Sequence, residues 1–514
     1  MIRFRTPSTP MLRRLALVAA SALLCAFPAR AGDPAKLVVR NAWIATMDPA
    51  TPDPFRGYLV VGAHGRLVAV APGEPPAGTT ADRVLDAGGK VVMPGFLSGH
   101  SHLWQSAFRG VAPTQLVMAW VTLLHRTYGP FFGKGDLYAF TLHGALDYLS
   151  HGITSALNYS QPLNLPNDLY EEQYAAEAVA GERFVFGYAL PNKPPFAEAR
   201  RNFEDFYRRV KAAPAPTLLQ VSLVSEGNSV DDQGKDAYLD FMFQVMRDHD
   251  LNAQLHYLES PGQPSETQAK TFPLLVASGL LGPRISFAHY IHTTDEMIAT
   301  SGAAHAGMSW NPLSNGRLGS GFADIPKYLK AGVQIGMGLD GQASADIADP
   351  FENMRMGLYA MRDKYQDAAI LKPIDVLRFH TIGTANVLRV ADQVGSLTAG
   401  KFGDFLLIDL GLMDTGPVFD LYATLVFATG TPNIEQVYVG GGTGRRPWPP
   451  HPPGHEGDLG RRRSAGRADP REVRRLKDRP GPSLGTDQFT LGSGRDDQGD
   501  SLIDYSGGWA QDRL

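Results

Sequence analysis

The sequence predicts an α/β chain. A (β/α)8 TIM barrel spans residues 94–394, both flanks (36–93 and 395–442) contribute a small composite β-sandwich, and 443–514 form a disordered tail. Three observations carry this reading. Strand-like and helix-like segments alternate through the middle of the chain, which is the signature of a parallel sheet. Several apolar runs there end in a histidine or aspartate, where such a barrel keeps its catalytic groups. Short β-like runs punctuated by glycine and proline flank the alternating region on both sides.

Composition agrees with a soluble globular enzyme: 43% hydrophobic and 19% charged residues over 514 positions allow an ample core. A formal net charge of −4 argues against a general polyanion binder, so no nucleic-acid partner is expected.

At the N-terminus, Arg3, Arg5, Arg13 and Arg14 precede the apolar run Leu15 to Phe27, and Ala29-Arg30-Ala31 is a small-x-small cleavage site. Residues 1–31 therefore read as a cleavable export signal, too short to span a bilayer comfortably, and the mature chain is expected near Gly32 in the periplasm or outside the cell. Cys25, the sole cysteine, would leave with the signal, which excludes a disulfide, a thiol nucleophile and cysteine-zinc sites.

The first flank carries the strand-like runs Leu37–Arg40, Tyr58–Gly62 and Arg66–Val70; the second carries Phe405–Asp409 and Gln436–Val439. Barrel strands are expected at Ile153–Leu157, Phe184–Tyr188 and Leu218–Leu223. His100-Ser101-His102 immediately follows Val91 to Gly99 and looks like a metal site at the mouth of a strand. Residues two apart on a strand point to one side, so both imidazoles can address one ion. Further along, His256 ends the run from Asn252, His289 ends Ile285–Ala288, and Asp340 ends Gln334–Leu339, with Glu259 three residues beyond His256.

These motifs, in this order, resemble the amidohydrolase superfamily, in particular its branch of cytosine and guanine deaminases, adenosine-type deaminases and s-triazine chlorohydrolases. The residues concerned are Pro94 to Leu103, His256-Tyr257-Leu258-Glu259, Ala288-His289, Ser309 to Asn315, Gly338-Leu339-Asp340-Gly341, and Gly395 to Asp404, where the family re-enters its small β-domain. The likeness covers roughly residues 36 to 442.

The resemblance implies a mononuclear centre held by His100, His102, His256 and Asp340, three nitrogens and one carboxylate with a position left for water. One divalent ion is expected there, zinc first, with iron, manganese or cobalt able to use the same ligands. Such an ion would make its water a nucleophile near neutral pH. Glu259 would shuttle protons, His289 would orient the water, and Asp340 would act in catalysis as well as ligation. The stretch Gln220 to Glu226 holds no lysine to be carbamylated as a bridge, although Glu226 could bridge a second ion.

Trp104, Gln105 and Arg109 follow the histidine pair where the family often contacts substrate, Trp104 by stacking and Gln105 by pairing with an amide-like edge. Trp310 departs from the histidine common in relatives. Asn311 and Asn315 read as braces for backbone. His125, His143, His151, His249, His292, His305 and His380 match no motif position and read as structural or solvent-facing.

The expected function is a metal-dependent hydrolase, acting on carbon-nitrogen bonds other than peptide bonds, that attacks an amidine-like carbon of a nitrogen heterocycle. An exported amidohydrolase cleaving amide, carbamate or urea bonds is the alternative, and a non-catalytic periplasmic binding protein a more distant one. The partner is a small molecule, with no stable membrane insertion after signal cleavage and homodimerisation as the family suggests. The tail from 443, with Arg461-Arg462-Arg463 and Arg474-Arg475, has almost no apolar periodicity. It reads as a solvated extension, or as the product of a frameshift.

Overall fold

The computed structural model describes residues 35–160, 167–190, 195–226 and 237–444. The expected signal sequence and nearly all of the tail lie outside these residues. Among the described residues, no helix is long and apolar enough to cross a membrane.

Two sheets organise the chain. The first mixes both flanks: β1 (Ala35–Ile44), β2 (Phe55–Val61), β3 (Leu67–Pro72), β4 (Ala81–Asp86) and β5 (Val91–Pro94) join β15 (Phe405–Ile408), β16 (Ile434–Val439) and β17 (Gly442–Gly444). Its order is β17-β16-β15-β5-β1-β2-β3, with β4 lying parallel to the first half of β1. The sheet folds over its own core, so Leu37, Leu59, Leu67, Phe405 and Tyr438 share one apolar cluster. Two strands differ from the sequence reading. β4 carries Asp82, Arg83 and Asp86 and lacks an apolar face, so nothing in its pattern marks it as a strand. β17 includes Thr443 and Gly444, the first residues beyond the expected β-domain, because the antiparallel pairing with β16 continues through them.

The second sheet is the barrel. β6 (Phe96–His102), β7 (Ile153–Tyr159), β8 (Arg183–Ala189), β9 (Leu218–Ser225), β10 (Ala253–Tyr257), β11 (Ile285–His289), β12 (Gly307–Trp310) and β13 (Gln334–Met337) pair in parallel sequence order. β14 (Asp340–Gly341) returns to pair with β6, Asp340 opposite Ser101, and closes the ring. The eighth strand is thus interrupted at Gly338-Leu339. A side chain at Gly338 would collide with Asn311, Ser309 and the backbone of His100, so only glycine lets the strand pass this close to the histidine pair.

Burial follows from this layering. β6 and β7 are buried at every position, as expected where helices cover a parallel sheet. The covering helices show the reason for their faces: in Phe196–Ala212, residues Ala199, Phe203, Phe206 and Val210 recur at helical spacing and are buried, while its arginines and glutamates face outward.

The two sheets meet at Gly95, between β5 and β6, where a Cβ would lie 2.1 Å from Thr154 Oγ1. They are also tied by a buried ion pair: Arg183, the first residue of β8, donates to Asp404 at 2.6 and 3.2 Å, and Asp404 accepts from Gly440 N at 2.7 Å. Asp404→Ala would strand a buried guanidinium, which typically costs about 3–5 kcal/mol. Urea unfolding should show that loss, and a change below about 1 kcal/mol would mean that water reaches the pair.

Candidate metal centre and active site

The site forms at the C-terminal ends of the barrel strands. His100 and His102 occupy one face of β6, His256 is the penultimate residue of β10, His289 ends β11, and Asp340 opens β14. Apart from His256, which is slightly exposed, these side chains are almost fully buried. The structure therefore brings together every residue expected to bind metal, and places His289 and Glu259 beside them.

Second partners fix how the three imidazoles face. Gln254 donates its Nε2 to the Gly99 carbonyl at 2.8 Å, so its Oε1 faces His100 Nδ1 at 2.7 Å and can only accept. His102 Nδ1 meets the Tyr159 carbonyl at 3.1 Å, and His256 Nδ1 meets both oxygens of Glu226 at 3.1 and 3.2 Å. All three rings thus carry hydrogen on Nδ1 and turn Nε2 inward. His256 Nε2 lies 3.0 Å from His100 Nε2 and 3.2 Å from His102 Nε2. Asp340 Oδ1 approaches the same point, 3.3 Å from His102 Nε2 and 3.6 Å from His100 Nε2. Three nitrogen lone pairs and a carboxylate cannot share so small a space without a cation, and this donor set fits a divalent ion.

His289 faces differently. Its Nδ1 lies 2.8 Å from Asn315 Nδ2 and 3.3 Å from Asn311 Nδ2, so it accepts and leaves the Nε2 hydrogen directed toward Asp340 Oδ2 at 4.0 Å. Asn311 and Asn315 therefore brace this ring, a role beyond the backbone bracing expected from sequence. Glu259 Oε1 stands 3.6 Å from His289 Nδ1 and accepts from Ser320 Oγ at 3.3 Å. Leu258, His289, Tyr290 and Asp340 all hold left-handed backbone (φ 53°, 72°, 45° and 62°), a strain of about 1–3 kcal/mol each that clusters at the site.

Charge follows burial. Burial lowers the pKa of His100 far below its usual value and that of His102 to about 4, so both stay neutral. At His256 burial acts in the same direction, but the surrounding carboxylates, Glu226 foremost and then Glu259 and Asp340, together outweigh it and the net shift is upward. Burial, then the charge of Asp340, pushes the Glu259 carboxyl up to about 8. At Asp340 burial pushes upward, but the charge that His102, His100 and His256 carry when protonated, with a hydrogen bond from Ser314, outweighs it and the net shift is downward.

Several expectations need correction. Glu226 is not turned to a second ion; it holds His256 Nδ1, on the side of that ring away from the cluster, and accepts from Tyr159 Oη at 3.3 Å. Trp104, Gln105 and Arg109 do not line the cavity above the cluster. Trp104 is buried in the apolar core of the segment over the barrel mouth, Gln105 is buried against Gly341, and Arg109 is paired with Asp147. The cause is the short helical turn Leu103–Phe108, which rotates these side chains away. His125, expected to be structural or solvent-facing, lines the cavity between the rings of Trp104 and Trp120. His380 matches its structural reading, held by the Leu97 carbonyl and Asn353. Gln254 was missed although its position two residues before His256 marks it as sharing that inward face.

A closed parallel barrel with a three-histidine, one-aspartate cluster at its C-terminal mouth defines a metal-dependent hydrolase. The chain belongs to the amidohydrolase family, whose sequence profile matches residues 91–444. It is 28% identical over 414 residues to a 5-methylthioadenosine/S-adenosylhomocysteine deaminase of Desulforudis audaxviator, covering 79% of this chain and 92% of that protein. A protein of the same description from Bacillus cereus is 27% identical over 416 residues, covering 78% and 92%. In fold, the chain is similar to an adenosine deaminase from Xanthomonas campestris with bound zinc (TM-score 0.70, 22% identity, 80% and 93% covered). It is also similar to an atrazine chlorohydrolase from Arthrobacter aurescens complexed with zinc (TM-score 0.70, 20% identity, 83% and 99% covered).

In the metal-free chain a proton on His256 Nε2 can donate to the two neighbouring nitrogens, and an incoming ion must displace it. Metal uptake at about pH 6 should release about one proton per chain, and affinity should weaken about tenfold per pH unit as acidity rises further. Calorimetry in buffers of different ionisation enthalpy measures this, and uptake without proton release would contradict it. Glu226→Gln or Gln254→Leu should each weaken metal binding about 10–100-fold in chelator competition.

Proposed function

We propose that the protein hydrolyses a nitrogen heterocycle at an amidine-like carbon, expelling ammonia or another leaving group, with zinc as the resident ion. The observation that carries this reading is Glu259: a carboxyl beside His289 and Asp340, at the end of the strand that supplies His256, which burial keeps protonated near neutral pH. A carboxyl in that state can protonate a ring nitrogen, and its conjugate base can then take up a proton released by the attacking water and pass it to the leaving group. Three imidazoles and one carboxylate suit zinc, the ion named in both related structures above.

Bound here, the ion would supply Lewis acidity and an acidified water. The protein side of the reaction is positional. His289, held by Asn315 and Asn311, directs its Nε2 hydrogen into the cluster and orients the attacking oxygen. Asp340, ionised and 3.3 Å from His102 Nε2, can accept a proton from that oxygen. Glu259 delivers its own proton on the cavity side, and Ser320 Oγ holds its carboxyl in place. Export from the cytoplasm is part of the proposal and rests on the pattern from Arg3 to Ala31, outside the described residues.

Ammonia release should be screened over nucleobases, nucleosides, pterins and s-triazines with the metal-loaded chain. Glu259→Gln should keep its metal and lose about 100-fold or more in kcat; wild-type kcat in that variant would remove the proton-shuttle role. Because Glu259 must be protonated to act, kcat/KM should fall as pH rises through about 8, or lower once the ion's charge bears on it. A rate that keeps rising past that point would contradict the assignment.

A further inference from the structure

The cavity over the cluster, about 260 Å³, has two unlike sides. Glu226, Glu259 and Asp340 lie on the barrel side. The other is the segment after β6, where Val117, Met118 and Val121 of the short helix Val117–Val121 join Leu318 in an apolar wall. His125 is the polar exception in this wall; it is almost fully buried between two indole rings, and burial keeps it neutral.

Among the described residues that line the cavity, none is a lysine or arginine. Arg126, beside His125, is exposed and does not line the cavity, and two further arginines nearby in sequence are engaged elsewhere. Arg109 is paired with Asp147. Arg317, the neighbour of Leu318, binds Asp346 at 2.7 Å and the carbonyls of Ala112 and Val111 at 3.0 Å each. A carboxylate or phosphate carried into this wall would lose its water, meet no cation among the described lining residues, and face the charges of Glu226 and Asp340. An apolar group would instead gain by burial.

Resting on the heterocycle reading above, we infer that the cavity selects an uncharged ring with an apolar substituent and discriminates against the same ring bearing an anionic one. His125 can hydrogen-bond a neutral polar atom next to that substituent, and Val117, Met118, Val121 and Leu318 take the apolar part.

The test compares 5′-methylthioadenosine with its carboxyethylthio analogue, which has the same purine and ribose and adds one carboxylate. Binding to the metal-loaded full chain would be measured by calorimetry, and ammonia release on the same samples. The neutral compound should bind at least about tenfold tighter, a difference of about 1.4 kcal/mol. Met118→Arg, at a half-exposed position that tolerates a long side chain, should shift the ratio about tenfold toward the carboxylate. Equal affinities in the wild type, no binding of either compound, or an unchanged ratio in Met118→Arg would each overturn the inference. The tenfold preference with no ammonia from either compound would uphold it and overturn the deamination reading alone.

Discussion

The convergence of three Nε2 atoms, that of His256 lying 3.0 Å from His100 and 3.2 Å from His102, is the constraint on which the rest depends. Left to themselves, neutral imidazoles avoid presenting lone pairs to one another. They do so here because each Nδ1 is committed to an acceptor that cannot donate: the Gln254 amide oxygen, the Tyr159 carbonyl and the Glu226 carboxylate. The barrel holds the three rings in an arrangement that only a proton or a metal ion stabilises. His289, with its Nδ1 accepting from asparagines, has the opposite tautomer and so becomes a donor toward the same point.

The scaffold supplies this geometry through the seam between its last and first strands. β13 stops, Gly338 lets the chain pass the backbone of His100, and Asp340 enters β14 in left-handed conformation with its carbonyl held by Tyr148 Oη at 2.9 Å. Strain at His289 and Asp340 is tolerated because each is anchored by a strand partner, Tyr257 and Ser101 respectively, and by hydrogen bonds from Asn315 to His289 and from Tyr148 to Asp340. The fully buried strands beneath and the Arg183–Asp404 tie to the second sheet keep this framework rigid.

Much of the site was legible because it obeys simple periodicities. His100 and His102 show themselves by spacing of two on a strand, and His256, His289 and Asp340 by closing apolar runs, which is how a parallel barrel presents side chains at its mouth. The failures are equally physical. The direction of Trp104, Gln105 and Arg109 depends on a single helical turn whose rotation no pattern reveals. Glu226 follows an apolar run as a ligand would, and only its contact with the far nitrogen of His256 shows it as a brace. His125 sits in an irregular helical segment with no motif around it, and reaches the cavity through the packing of Trp104 and Trp120. β4 was missed because both its faces carry charged residues.

Stripping the purified chain with chelator and titrating zinc back, with X-ray absorption to read the coordination, tests the central claim most directly. The account predicts one equivalent bound by about three imidazole nitrogens and one carboxylate oxygen, with the remaining donor from water. Two tightly bound equivalents, or one equivalent with fewer than three imidazoles, would contradict it.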